Sequence, residues 1–267
     1  MSKREFERKV TASGVQYLAE TGTGERLLVF VHGWRDSALG WQWVIDNLVV
    51  DSSWRIIAVD RHSVEGAGAD SAALLEAYAA QVVDAVSEAT RPDSQVVLIG
   101  QSMGAAVAEL AAARLAGRLR GLVLLTPAPL AGSPMPPEVR EAFELGARDL
   151  DRVNVGISRI DLAVNISADA QLRMILATPT ESERSTLQTL DSWIGGHPAG
   201  QQPSLVTAPT LLVLTDDVAF PEAMLRREVA PRFDKLRVVA VQDAGHFPHL
   251  EQPEEVAKVI ASFVSEL

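Results

Sequence analysis

Residues 95–116 read QVVLI-GQSMG-AAVAELAAARLA. Four of the first five, residues 96–99, are apolar and three of them β-branched, the composition of a strand buried on both faces. Residues 103–116 are small and apolar over a helical length, which suits a helix packed closely on a sheet. Between them stands Gly100-Gln101-Ser102-Met103-Gly104, a G-x-S-x-G pattern at a strand-to-helix junction. A sharp turn there lifts Ser102 above the C-terminal edge of the sheet in a strained backbone conformation, and the flanking glycines leave room for strand and helix to approach. The Met103 amide then falls at a helix N-terminus, where unpaired N–H groups and the helix dipole favour a developing negative charge. Ser102 is the candidate nucleophile.

The same alternation continues outward in both directions. Residues 10–18 read as an edge strand, and residues 26–31 (RLLVFV), 55–59 (RIIAV) and 122–125 (LVLL) as buried strands. Helical spacing fills the gaps, over residues 39–49 and over residues 71–88, where Leu74, Leu75, Tyr78, Val82 and Val86 share one face. Strands alternating with helices imply a mostly parallel sheet covered on both faces, wound by right-handed crossovers. The pattern breaks between about residues 131 and 203, where amphipathic helical segments dominate. It resumes with residues 210–214 (TLLVL), residues 235–241 (KLRVVAV) and a last helix at 253–264. The expected organisation is an α/β core from residues 1–131 and 204–267, with a helical cap inserted at 132–203.

Three further strand ends carry candidate chemistry. His32-Gly33-Trp34 follows residues 26–31, and its turn can aim the Trp34 amide at the same oxyanion as Met103, with His32 bonding loop backbone. Gly245-His246-Phe247-Pro248 follows residues 235–241, at the edge where α/β sheets hold functional groups. The His246 imidazole can take the Ser102 proton and return it to a leaving group. Such a base needs a carboxylate to fix its tautomer. Asp216 and Asp217 both follow residues 210–214, and Asp217 is the preferred partner.

The order Ser102, Asp217, His246, with the stretch Gly245-His246-Phe247-Pro248-His249-Leu250-Glu251-Gln252-Pro253, resembles the α/β-hydrolase family, in particular its small capped members, over nearly the whole chain. The resemblance implies an eight-stranded, mostly parallel sheet, a helical lid after the sixth strand and a Ser–His–Asp triad. Two departures stand out. The loop carrying the acid is one residue short: counting back from Pro221 selects Asp217, whereas counting from Pro209 selects neither aspartate cleanly. Asp60-Arg61-His62-Ser63 replaces the family's common proline and Gly-His-Gly turn, so the loop beside the pocket has its own shape. Thr126-Pro127, where some members carry their acid, offers no carboxylate.

Composition narrows the classes. The chain has 267 residues, 47% of them apolar and 22% charged, enough for one large core without disulfides or metals. It has no cysteine, which excludes disulfides, thiolate metal sites and a cysteine nucleophile. The N-terminal MSKREFERKV is charged and unlike a signal peptide, and no apolar run approaches membrane-spanning length. A net charge of -11 disfavours nucleic acid and anionic membranes. No dinucleotide fingerprint, P-loop or metal-binding histidine spacing is present, so neither cofactor nor metal is expected. The expectation is a soluble cytoplasmic enzyme, monomer or homodimer, acting on a small molecule.

Apolar cap residues, Trp193 among them, together with Phe247 beside the histidine, suggest a partly apolar substrate pocket. The cap arginines Arg140, Arg148, Arg152, Arg159 and Arg173 read chiefly as salt-bridge formers. The combined reading is hydrolysis of a carboxylic ester or lactone through an acyl-enzyme on Ser102. Three alternatives remain on this scaffold: C–C bond hydrolysis, cofactor-free oxygenation and slow-turnover ligand reception.

Overall fold

The computed structural model describes residues 4–21, 24–64 and 70–267; the first three residues of the charged N-terminal stretch lie outside them. Eight strands form one sheet: β1 (Phe6–Val10), β2 (Gln16–Glu20), β3 (Arg26–Val31), β4 (Trp54–Asp60), β5 (Val96–Gln101), β6 (Leu119–Leu125), β7 (Thr210–Leu214) and β8 (Leu236–Ala240). Their spatial order is β1-β2-β4-β3-β5-β6-β7-β8. Only β2 runs against its neighbours; the six strands from β4 to β8 across the sheet are parallel.

The central strands are apolar throughout because both of their faces are buried. Leu27, Val29 and Val31 of β3 point into one core, and Leu28 and Phe30 into the other. This is the two-residue side-chain period of a strand expressed in a doubly covered sheet. Helices α1 (Gln42–Asn47), α2 (Ser71–Ala89) and α3 (Met103–Arg114) follow β3, β4 and β5. The Asp70 side chain caps α2 by accepting from the amides of Ala72 and Ala73. Alanines at 105, 106, 108, 111 and 112 bring α3 close onto the sheet, within the first core.

The expected edge strand at residues 10–18 is instead two strands. The chain turns at residues 11–15, where the Thr11 and Val15 backbones bond each other, and Val10 then faces Gln16 across an antiparallel hairpin. Gly14, at φ +89°, supplies the left-handed residue that ends the strand pattern early. The outer strand β1, FERKV, is mostly exposed and charged, the composition that keeps a sheet edge from pairing with another chain.

Between β6 and β7 the chain forms α4 (Pro137–Arg148), α5 (Arg152–Ser158), α6 (Ala168–Ala177) and α7 (Glu183–Gly195). Its outgoing and returning ends meet. Ser133 N–H donates to Ile194 O at 3.0 Å and His197 N–H to Leu130 O at 2.7 Å. Gly132 (φ +94°) and Gly196 (φ +69°) lie at this crossing, where a side chain on either would strike the other strand's backbone. Then come α8 (Glu222–Glu228), α9 (Pro248–Glu251) and α10 (Pro253–Ser265), the last packed on the second core. Among the described residues, no helix is long and apolar enough to cross a membrane.

Candidate active site

Ser102 joins β5 to α3 at φ +53°, ψ −126°, a backbone conformation that L residues rarely hold. The flanking glycines make it possible. A Cβ on Gly100 would lie 2.4 Å from Gly104 O, and one on Gly104 would lie 2.4 Å from the carbonyls of Val31 and His32. Strand, turn and helix are thus in backbone contact, and Ser102 is 7% exposed at the top of the sheet.

His246 stands between Ser102 and Asp217. Its Nε2 is 3.0 Å from Ser102 Oγ, and its Nδ1–H donates to Asp217 Oδ2 at 2.7 Å. The other Asp217 oxygen accepts from the Ala219 amide at 2.8 Å. Burial pushes the Asp217 carboxyl up, but the His246 ring and the Ala219 and Phe220 amides outweigh it and hold the group below the usual carboxylate range. An ionised acceptor on Nδ1 requires the proton there, which leaves the Nε2 lone pair for the Ser102 hydroxyl. Asp216 is exposed and points its amide at Ala244 O, so of the two candidates only Asp217 reaches the histidine.

The Trp34 and Met103 amides carry no hydrogen bond among the described residues. Gly33 lies against the serine: a Cβ there would sit 3.1 Å from Ser102 Cβ. His32 takes the structural part. Its Nδ1–H donates to Gly33 O at 2.9 Å and its Nε2 accepts from the Arg61 amide at 3.2 Å. Burial, reinforced by the nearby Arg61 charge, lowers its pKa to about 3 and keeps it neutral.

A cavity of about 290 Å³ opens over Ser102 and His246, with Trp34, Phe143, Trp193, Phe220 and Phe247 in its wall. The aromatic rings form a continuous chain from the inserted helices to the histidine: Phe143–Trp193 centroids are 5.6 Å apart, Trp193–Phe220 6.2 Å and Phe220–His246 5.4 Å. Phe247 meets the His246 ring edge-on at 4.9 Å. Both pocket residues expected from sequence, Trp193 and Phe247, therefore line this cavity. Of the five cap arginines only Arg159 also lines it; it is buried and 3.9 Å from Asp36. Arg140 pairs with Glu144 and Asp191. Among the described residues, no cluster of three His, Cys, Asp or Glu side chains is placed to hold a metal.

Four residues that support this constellation carried no role in the sequence. Gln101 donates to His246 O at 2.8 Å, and the Thr126 hydroxyl donates to the same oxygen at 3.1 Å. Glu251 is 2% exposed and accepts from the amides of Gly245 and Phe247, on either side of His246. Arg61 reaches back under the Gly33 loop. Three of the four lie within stretches marked by motif or resemblance, and Thr126 directly follows β6, where some family members carry their acid; adjacency to a motif is the available signal.

This sheet order, a serine at the β5–α3 turn and a histidine and aspartate at later strand ends define an α/β-hydrolase. A model of the Alpha/beta hydrolase family matches residues 28–259, and the chain belongs to that family. It is 27% identical to the pimeloyl-[acyl-carrier protein] methyl ester esterase of Sodalis glossinidius (strain morsitans), over 91% of this chain and 95% of that protein. Its fold is similar to that of a thermophilic esterase from Thermogutta terrifontis (TM-score 0.73, 21% identity, 98% of each chain). It is likewise similar to a putative aryl esterase from Burkholderia cenocepacia (TM-score 0.75, 21% identity, 98% of each chain).

Proposed function

We propose that this protein is a serine hydrolase that cleaves a carboxylic ester or lactone of a small to medium, partly apolar substrate. The observation that carries the reading is the hydrogen-bonded line Ser102 Oγ, His246 Nε2, His246 Nδ1, Asp217 Oδ2, with steps of 3.0 and 2.7 Å across the imidazole. As the Ser102 oxygen attacks the carbonyl carbon, its proton passes to His246 Nε2. Asp217 holds the ring's tautomer and stabilises the imidazolium. The free amides of Trp34 and Met103 receive the tetrahedral oxyanion. His246 then protonates the departing alkoxide, and the same groups, run in reverse with water, release the acid. Residues 132–203 act as a cap that shapes the acyl pocket.

The ester choice draws on two supports. The cavity wall is mostly apolar and includes Trp34, Phe143, Trp193, Phe220 and Phe247, which suits an acyl or aryl group. The name of the Sodalis glossinidius relative, a methyl ester esterase, points to the same bond class. The protein acts as a monomer or homodimer on a small molecule.

The test is intact-protein mass after treatment with a fluorophosphonate, on wild type and Ser102→Ala. One adduct on wild type and none on the variant is expected, with ester hydrolysis lost in Ser102→Ala by at least about 10³-fold. Full esterase activity in Ser102→Ala overturns the reading. If activity survives and dioxygen is consumed, the scaffold performs oxygenation through His246 and Asp217 instead.

A further inference from the structure

The loop after β4, Arg61-His62-Ser63, takes no part in the steps above, yet Arg61 is tied to both sides of the oxyanion hole. One guanidinium nitrogen, Nη2, donates to His32 O and to Gly33 O, each at 2.7 Å. The other, Nη1, lies 3.5 Å from Met103 Sδ. The group is centred 5.5 Å from the Tyr78 ring, and the Arg61 amide holds His32 Nε2.

Gly33 O thus accepts from two donors, Arg61 Nη2–H and His32 Nδ1–H. Neither residue lines the Ser102 cavity. Both line a separate small cavity that also borders Trp34, together with Tyr78 and Glu181. The Gly33–Trp34 peptide is trans and planar, so its C=O and N–H point in opposite directions. A carbonyl pinned by these two groups leaves the Trp34 N–H directed away from Arg61 and His32. A cation on the carbonyl also draws electron density through the peptide and makes the N–H a stronger donor.

We propose that Arg61 is a positioning residue for the oxyanion hole, fixing and polarising the Gly33–Trp34 peptide so that the Trp34 amide receives the negative charge formed on the substrate carbonyl oxygen. The proposal rests on Ser102 being the nucleophile. Arg61 touches neither substrate nor the reacting atoms. Its fork reaches two carbonyls and a thioether at once, which a single ammonium cannot.

The test compares wild type, Arg61→Lys and Arg61→Met in three readouts: kcat and KM for a p-nitrophenyl ester, the rate of Ser102 phosphonylation, and the Ki of an aryl trifluoromethyl ketone, whose serine adduct carries an oxyanion. Arg61→Met is expected to lose about 10- to 100-fold in kcat, somewhat less than loss of an entire oxyanion donor, with KM within about threefold. Ketone affinity and phosphonylation rate fall with it, and Arg61→Lys falls in between. A loss confined to KM, or a fall in kcat with unchanged ketone affinity, overturns the proposal. Should Arg61→Met fail to fold, Arg61→Lys decides: parallel losses uphold the proposal and wild-type values overturn it. The two readings separate cleanly. A wild type that takes no phosphonate removes the nucleophile and this inference together, whereas a labelled wild type with Arg61→Met labelled at the same rate removes only Arg61.

Discussion

Asp216 and Asp217 are neighbours in a loop, yet their surroundings have little in common. Asp217 is 4% exposed, bonded to His246 and to the Ala219 amide, while Asp216 faces solvent. Asp217→Asn should preserve the shape of the site but no longer dictate which imidazole nitrogen carries the proton. The expected fall in kcat is about 10²- to 10⁴-fold, against less than twofold for Asp216→Asn, read by steady-state kinetics on one aryl ester. The reverse ranking would move the acid. The serine and histidine were legible because each sits in a local pattern, a strand followed by a glycine-bearing turn. The choice between aspartates was not, because contacts about thirty residues away decide it. Thr215 Oγ–H donates to Gly245 O and the Asp216 amide to Ala244 O, and this registers the short loop against the histidine loop. Hydrophobic periodicity carries no trace of such pairings.

Elements meet at the site through a few polar ties, and Glu251 is the densest of them. Its carboxylate accepts from Gly245 and Phe247 in the histidine loop, and from Val164 and Asn165 on the segment leading into α6. Leu162 O adds a bond from His246 N–H at 2.8 Å. The loop carrying Trp34 is tied to the inserted helices in the same manner, by Trp34 Nε1–H on Thr186 O at 3.1 Å and Ser37 Oγ–H on Ala177 O at 2.7 Å. Glu251→Gln replaces one acceptor oxygen with an amide donor facing backbone N–H groups. At least one amide is then left without a partner, at a cost of about 1–3 kcal/mol. A lower urea midpoint together with an approximately tenfold lower kcat is expected; an unchanged kcat would show that the inserted segment does not steady His246. The strands and helices themselves were legible from apolar periodicity. The hairpin at residues 11–15 was missed because strand-like residues run through both arms and only Gly14 marks the turn. The polar ties were invisible because a buried glutamate in a helix looks, in sequence, like a solvated one.

For the molecule as a whole, these buried polar groups set how stability responds to acid. His32 has its pKa lowered to about 3, first by burial and then by Arg61, against 6.5 for the free side chain. The unfolded chain therefore takes up this proton as pH falls below about 6.5, while the folded chain does so only near 3. Between those values the unfolded state binds more protons, so stability declines with falling pH, by at most about 1.4 kcal/mol per pH unit for this one group. Asp36 acts lower down. Burial pushes it up, but Arg159 and His249, which reaches it at 2.9 Å, prevail and bring it to about 2 from 3.8. Its contribution is complete above about pH 4 and is lost as pH falls towards 2. Urea midpoints at pH 7.5, 6.0 and 4.5 should fall steadily for wild type. His32→Gln keeps a donor and an acceptor at the position without titrating, so it should start lower at pH 7.5 and fall less steeply. Parallel slopes in the two proteins would place the titrating group elsewhere. The flatter slope would tie acid sensitivity to the histidine that holds Gly33 O alongside Arg61, making the loop at Gly33 and Trp34 a principal point at which protonation unseats the fold.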